Sequence, residues 1–468
     1  MHLRGVIGLG FVAFIGAVQM PVPAYGAEEP AAPGLCQENC LFGDWGGLRG
    51  QFAKAGITFG LQDINEVWGN ATGGRRRAAT YNGQTLLNIG LDTDTAFGWK
   101  GGIFNVSALQ IRGRSLASDA TLALQTNSGA NASRSTRLWE AWYQQSFPGD
   151  TVDLKLGMQS LDLEFMTSEG AGLFLNTMMG WPMLPSANLY AGGPAYPLSS
   201  LGGRLRVRAN EQITMLGGVF QDNPPGGPFA DDGPLRGTTR WGGNFNLRTG
   251  ALAIAEAQYA FNQPAVGTDG KPLPPTGLPG TYKLGAWYDS AGFPSQRYDN
   301  AGIPLASPAS KADPRMLRAN WSLYGVADQG IWRPSAESPQ LLSVFLRAMG
   351  GPGDRNLIGF SLNAGLTLKA PLPDRDDDIV GIGIGIARLS AGAIGFDRDF
   401  NRYNGTAPIR AAETFLELTY QIAVVQGWKI QPDFQYVFLP GGGVANPNGT
   451  GRRVANEAIF GLRSLIAF

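Results

Sequence analysis

Asn456 to Phe468 reads NEAIFGLRSLIAF and alternates with a period of two up to the final aromatic. Ala458, Phe460, Leu462, Ser464, Ile466 and Phe468 share one face; Glu457, Ile459, Gly461, Arg463 and Leu465 share the other. About ten such residues, tilted, cross a bilayer as one strand. A lone strand is not viable there, because each unpaired N–H or C=O in hydrocarbon costs several kcal/mol. The segment is therefore either the closing strand of a membrane barrel or an ordinary strand of a soluble sheet, and the rest of the chain decides.

The first residues predict export. His2 and Arg4 form a short positive end, Gly5 to Val18 is apolar but too short to span a bilayer, and Ala24-Tyr25-Gly26 suits a signal peptidase. We expect a signal peptide over 1–26; a cut after Ala24 and an uncleaved anchor are the alternatives. Because His2 is the only histidine in the sequence, its removal leaves none. That excludes Ser-His-Asp and Cys-His catalysis and histidine metal ligands, and two cysteines alone cannot build a zinc site. The expectation is no catalytic residue, no metal and no cofactor. Cys36 and Cys40, in CQENC, lie in a Pro-rich tether where an oxidising compartment permits a small-loop disulfide.

Charged residues make up 16% and the mean hydropathy is near zero. No apolar run after residue 26 approaches 18 residues, the longest being Ile379 to Ala387, which excludes a helical membrane protein. Eleven Trp, thirteen Tyr and twenty-four Phe argue against disorder despite 67 Gly and 31 Pro. The net charge is zero, so nothing here steers nucleic acid.

Residues 27–55 read as a periplasmic tether and a short helix, opened by Asp44 in DWGGLRGQFAKAG and stopped at Gly56, with Leu48 and Phe52 on one face. From Gly56 to 468 the period is two, with a well-populated polar face: Thr85, Leu87, Ile89 and Leu91 oppose Gln84, Asn88, Gly90 and Asp92. Tight turns at Phe147-Pro148-Gly149-Asp150 and Ala209-Asn210 contrast with long loops at 114–134, 160–201 and 390–409. Short turns at one rim and long loops at the other mark a transmembrane barrel. Candidate strands near 57, 84, 103, 136, 151, 203, 212, 240, 251, 281, 319, 340, 357, 379, 411, 429 and 456 give an odd count, which a barrel with both ends on one side cannot have. Up-down alternation places the surplus strand between 203 and 289. The predicted fold is all-β, a transmembrane antiparallel β-barrel of sixteen strands over 56–468 with an inward-folded long loop.

Taking each polar face as inward puts charges of both signs in the lumen. Arg112 and Arg114, with Gln110, predict one arginine ladder; Arg204 and Arg206, with Arg208, predict another, since guanidinium on the lipid face costs about 2–4 kcal/mol at midplane. Glu140, Asp153, Lys155, Glu413, Glu417 and Arg463 add to the lining. Mixed signs offer donors and acceptors to hydroxyl groups, whereas a single-sign ring selects ions. Trp142, on the face of Glu140, is either a platform for a pyranose or a filler ring. The loop 160–201, carrying Asp162, Glu164, Phe165, Phe174, Trp181 and Tyr190, is too apolar to extend into water and is the expected constriction, with Asp162 and Glu164 balancing the arginines; an extracellular cap packing on its neighbours is the alternative. Gly381, Gly383 and Gly385 face inward and either widen the pore or bend the strand. Arg75-Arg76-Arg77 reads as a solvated or lipopolysaccharide-facing cluster.

GDWGG at 43–47, LDLEF at 161–165, YGVADQ at 324–329, QPDFQYVFLPGG at 431–442 and the closing GLR at 461–463 with Phe468 resemble, in order, the OprB family of carbohydrate-selective porins. The resemblance implies a sixteen-stranded outer-membrane barrel passing monosaccharides by diffusion. Residues 264–279 and 439–451 fall outside it, and they bear on which sugar passes. The expected partners are outer-membrane lipid and lipopolysaccharide, small neutral sugars and the barrel assembly machinery reading Phe468, in a monomer or a homotrimer. A general or organic-solute diffusion porin is the alternative, followed by an outer-membrane or secreted carbohydrate-acting protein.

Overall fold

The computed structural model describes residues 40–227, 229, 241–243, 245–264, 277–449 and 451–468. The expected signal peptide and Cys36 lie outside them. The strands are β1 (Ile57–Thr72), β2 (Ala78–Asp92), β3 (Gly102–Gly113), β4 (Ser135–Ser146), β5 (Val152–Gln159), β6 (Ser200–Arg208), β7 (Ile213–Gln221) and β8 (Ala251–Phe261). They continue as β9 (Gly280–Asp299), β10 (Pro314–Trp332), β11 (Leu341–Gly350), β12 (Ile358–Lys369), β13 (Ile379–Leu389), β14 (Ala412–Val425), β15 (Trp428–Phe438) and β16 (Glu457–Ala467). Each pairs antiparallel with the next, and β16 closes on β1, so no edge is left.

The surplus strand is the one expected near 240, where residues 230–240 and 244 lie outside those described. β7 pairs directly with β8, Gln221 opposite Ala251, so the ladder has no room for a strand between them. Closure pairs Glu66 with Arg463 and Trp68 with Gly461. A Cβ on Gly461 would sit 2.3 Å from the Trp68 ring, so the indole can lie over the seam only because position 461 is bare. Beyond β16, the Phe468 N–H reaches Leu61 O at 2.9 Å and Arg49 donates to the Phe468 carbonyl oxygen.

Arg49 belongs to the short helix Leu48–Lys54, as expected from the sequence. Asp44 serves it from three residues before the N-cap, its carboxylate accepting the Gly50 N–H at 2.9 Å. Gly56, at φ +75°, ends the segment and opens β1. The helix before β1 and the end of β16 thus lie at one rim, where short turns such as 147–151 and 209–212 also lie, which marks it as the periplasmic rim.

The interior is packed, not open. Ile64, Leu86, Leu109, Ile111 and Trp139 from the wall bury against Leu161, Phe165, Trp181 and Tyr196 of the loop after β5. In a second cluster, Trp68 of β1, Phe345 of β11 and Phe415 of β14 bury against Leu116, Ala171, Leu173, Phe174 and Met179. Burial of this kind, roughly 1.5–3 kcal/mol per large side chain, holds two outer loops inside the barrel.

Candidate channel constriction

The third outer loop, 160–199, leaves β5 and winds around the inner wall, tied to β8, β10, β11 and β14 by groups aimed inward. Glu256 accepts the Met166 N–H at 2.8 Å, Asp328 the Gly170 N–H at 3.0 Å, and Glu417 the N–H groups of Leu175 and Asn176. Arg347, fully buried, donates to the carbonyl oxygens of Met166, Met178, Met179 and Gly180 at 2.7–2.8 Å. The second outer loop, 114–134, is tied in the same way, with Glu457 taking the Leu122 N–H at 3.0 Å and Glu413 those of Leu124 and Gln125 at 2.7 Å. Thr126 and Thr177 join the two loops hydroxyl to hydroxyl at 2.6 Å. Hydrogen bonds of this kind contribute about 0.5–1.5 kcal/mol each, and leaving a buried N–H or C=O without one costs about 1–3 kcal/mol, so a wall carrying this many fixes the loops.

Glu413 and Glu417 therefore do not line the channel, as the polar face had suggested; they hold loops. Gly381 and Gly383 face inward but do not widen the pore. A Cβ on Gly381 would meet Leu173 at 2.6 Å and one on Gly383 would meet Phe174 and Met179 at 2.8 Å, so the missing side chains make room for the loop. Inward folding of the loop 160–201 is as expected; that of 114–134 was not foreseen. Its signal was present in the sequence as Glu413 of β14 and Glu457 of β16, inward glutamates with no basic residue two positions away on the same face.

The charged seat of the third loop lies on β4–β6. Arg204, 1% exposed, donates to Asp153, to Gln144 at 3.0 Å and to both oxygens of Glu164. Glu164 also pairs with Lys155, and Arg206 reaches Asp153 at 2.5 Å. Arg204 beside Lys155 holds the Glu164 carboxyl far below the usual range in spite of its burial. Lys155 Nζ lies 4.5 Å over the Trp142 ring, so a cation, not a sugar, occupies that face. Glu140 accepts the Ser160 N–H at 2.9 Å and anchors the loop's start. Asp162 accepts from Ser160 Oγ at 2.6 Å and from the Tyr196 N–H at 3.2 Å, and burial pushes it up to about 6. Trp181 is buried in the loop's own core, its Nε1–H on Gly192 O at 2.7 Å.

Arg112 and Arg114 are not in the lumen. On β1–β3 the buried, inward positions include Ile64, Glu66, Leu86, Asn88, Leu109 and Ile111, while Val67, Leu87, Ile89, Phe104 and Val106 are exposed on the outer wall. Arg112 shares that outer wall, bridging both Asp63 oxygens and Asn65 at 2.8–2.9 Å and Thr85 at 2.8 Å, with Tyr81 Oη at 3.0 Å. Arg114 lies past the strand end and pairs with Asp119 of the second loop at 2.8 Å. The charged groups that keep some exposure are Glu164 and Arg206 beside β5 and β6, with Lys155 buried behind Glu164, and Glu169 and Lys283 beside β9, Lys283 donating to Thr167 Oγ1 at 2.6 Å.

A closed sixteen-strand barrel with an apolar outer face and loops folded into its lumen is an outer-membrane diffusion channel. Residues 76–468 match the carbohydrate-selective porin, OprB family, and the chain belongs to that family. Porin B of Pseudomonas aeruginosa is 23% identical over 93% of both chains. A putative porin, QuiX, of Acinetobacter baylyi is 22% identical over 86% of this chain and 89% of its own length. Among solved structures, OprB of Pseudomonas putida at high pH superposes with a TM-score of 0.79 at 22% identity, covering 92% of this chain and 99% of that one. The chain is an outer-membrane porin of carbohydrate-selective type.

Proposed function

We propose that the channel passes small neutral sugars of monosaccharide size, passively, past the seat formed by Glu164, Lys155 and Arg206. The observation that carries this is the pairing itself: Glu164 faces the lumen already neutralised by Lys155 and Arg204, and Arg206 by Asp153. A strip of paired charges presents little net field to an ion but keeps spare donor N–H groups and acceptor lone pairs for hydroxyls. Glu169 and Lys283, beside β9, offer a second such pair of signs further round the wall. Because the loops are tied at many strands, these groups are held in place before a solute arrives, which lowers the ordering cost of each contact.

The seat's chemistry is that of a binding strip, and the reading includes no catalytic residue and no cofactor. The pathway is complete in one chain, so a monomer and a homotrimer differ only in the number of parallel paths. Residues 1–26 act as the export signal, Phe468 as the strand end read by the assembly machinery, Cys36 with Cys40 as a tether disulfide, and lipopolysaccharide surrounds the outer rim. Liposome swelling tests the substrate class: monosaccharides should enter faster than amino acids or carboxylates of equal size. Equal rates would favour a general diffusion porin.

A further inference from the structure

The geometry points to a binding site for a phosphorylated glycolipid of the outer leaflet, in a cleft at the extracellular rim between β12, β13 and the helix Ala391–Asn404. Its volume is about 380 Å³ and its lining includes Gly359, Phe360, Arg388, Ser390, Ile394 and Arg398. Ser390 opens the helix, its Oγ accepting the Ala393 N–H at 3.1 Å, and that turn brings Arg398 back over the strand end that carries Arg388.

Height selects the ligand. β13 starts at Ile379 on the short-turn rim, and its odd positions from Gly381 to Leu389 are buried inward. Val380, Ile382, Ile384, Ile386 and then Arg388 face outward. Nine residues at ~3.3 Å each, tilted ~40°, rise about 23 Å, close to the ~25 Å of an outer-membrane apolar band. Arg388 thus stands where hydrocarbon gives way to headgroups, directly above four aliphatic residues and cross-strand from outward Phe360.

Charge selects it further. The acidic side chains nearest the cleft among the described residues are already committed: Asp397 to Arg410 at 2.8 Å, Asp399 to Arg297 at 2.7 Å, and Asp354 to Arg355 at 2.9 Å. Arg388 and Arg398 are exposed and have no carboxylate partner among the described residues. Two free guanidiniums, forked for bidentate contact with phosphate, stand over an apolar wall that suits an acyl chain. A sugar phosphate carrying acyl chains satisfies both halves at once; a free phosphate satisfies only the upper one.

The test is binding of diphosphoryl lipid A to the full-length folded barrel in detergent, followed by native mass spectrometry. The expected result is one lipid A retained per chain. Affinity should be about tenfold weaker in R388A/R398A, as for one lost charge-assisted contact, and likewise for lipid A stripped of phosphate. Inorganic phosphate at millimolar concentration should not displace it. A second variant, Ile394→Glu, puts a carboxylate into the cleft without touching either arginine and should weaken binding to the same extent. Equal retention by wild type and both variants overturns the site. Retention indifferent to the lipid's phosphates overturns the role of the arginines, and displacement by inorganic phosphate overturns the choice of a lipid.

Discussion

Asp63 and Arg112 form an ion pair on the outer wall, with side chains 20% and 26% exposed and every neighbouring polar group turned toward them. Charge there is tolerable because it is paired and hydrogen-bonded; unpaired, it costs about 2–4 kcal/mol at the membrane midplane and less near the interfaces. Arg112→Ala should therefore lower barrel stability by about 2 kcal/mol in a urea titration in vesicles, leave single-channel conductance unchanged, and be largely rescued by adding Asp63→Asn. Ile111→Arg should act from inside, forcing a cation against the buried loop. The alternation of β3 was legible in the sequence; which face is inside was not. The usual rule assumes a wet lumen, and here the loops make the lumen apolar at that level, so Leu109 and Ile111 point in. Asp162 and Glu164, two residues apart, give opposite pH signatures. Glu164 lies far below its ordinary value, so its contribution is present above pH 4.5 and is lost only as pH falls through the depressed value. Asp162, pushed up to about 6, is the reverse: its protonated form suits the fold, and that stability is lost as pH rises from about 4 through 6. Proteolytic resistance of the third loop should accordingly increase between pH 7 and 5, by an amount on the order of 2 kcal/mol or less. Asp162→Asn should flatten that profile while Glu164→Gln keeps it.

The third loop behaves as an element in its own right, built only of short helical turns such as Thr177–Gly180 and Met183–Asn188 and owing its shape to the wall. Glu417→Leu leaves the Leu175 and Asn176 N–H groups without an acceptor, at about 1–3 kcal/mol each, and Arg347→Met frees four carbonyl groups. Both variants should keep heat-modifiable mobility on a gel, the mark of an intact barrel, while the loop becomes cleavable by added protease and conductance rises. Gly383→Val should dislodge Phe174 and Met179 and give the same protease-sensitive phenotype; a simple narrowing with a tightly held loop would refute the close-fit reading. That the segment 160–201 folds inward was legible from its apolar content. The anchoring carboxylates were visible as inward residues, but their partners are backbone N–H groups, which leave no mark in a sequence. The second loop was missed for the same reason, since its contacts to Glu413 and Glu457 are to main chain.

At the scale of the whole barrel, closure depends on the last residue as well as on the strand before it. The Phe468 backbone bonds to both Leu61 and Arg49, so its deletion should lower the folded fraction seen by heat-modifiable mobility; unchanged yield would remove it from the closure. Period-two alternation and loop asymmetry made the strand number legible, because a closed barrel with both ends at one rim admits only an even count. The central claim is that the loop-lined strip of paired charges selects sugars, and planar-bilayer recording tests it most directly. Single-channel current through wild-type protein should fall reversibly with added monosaccharide and saturate. In Glu164→Gln combined with Arg206→Ala the block should weaken by roughly 1–2 kcal/mol in affinity, the loss of one or two charged hydrogen bonds. A current indifferent to monosaccharide, or a block that survives loss of both side chains unchanged, would contradict the account.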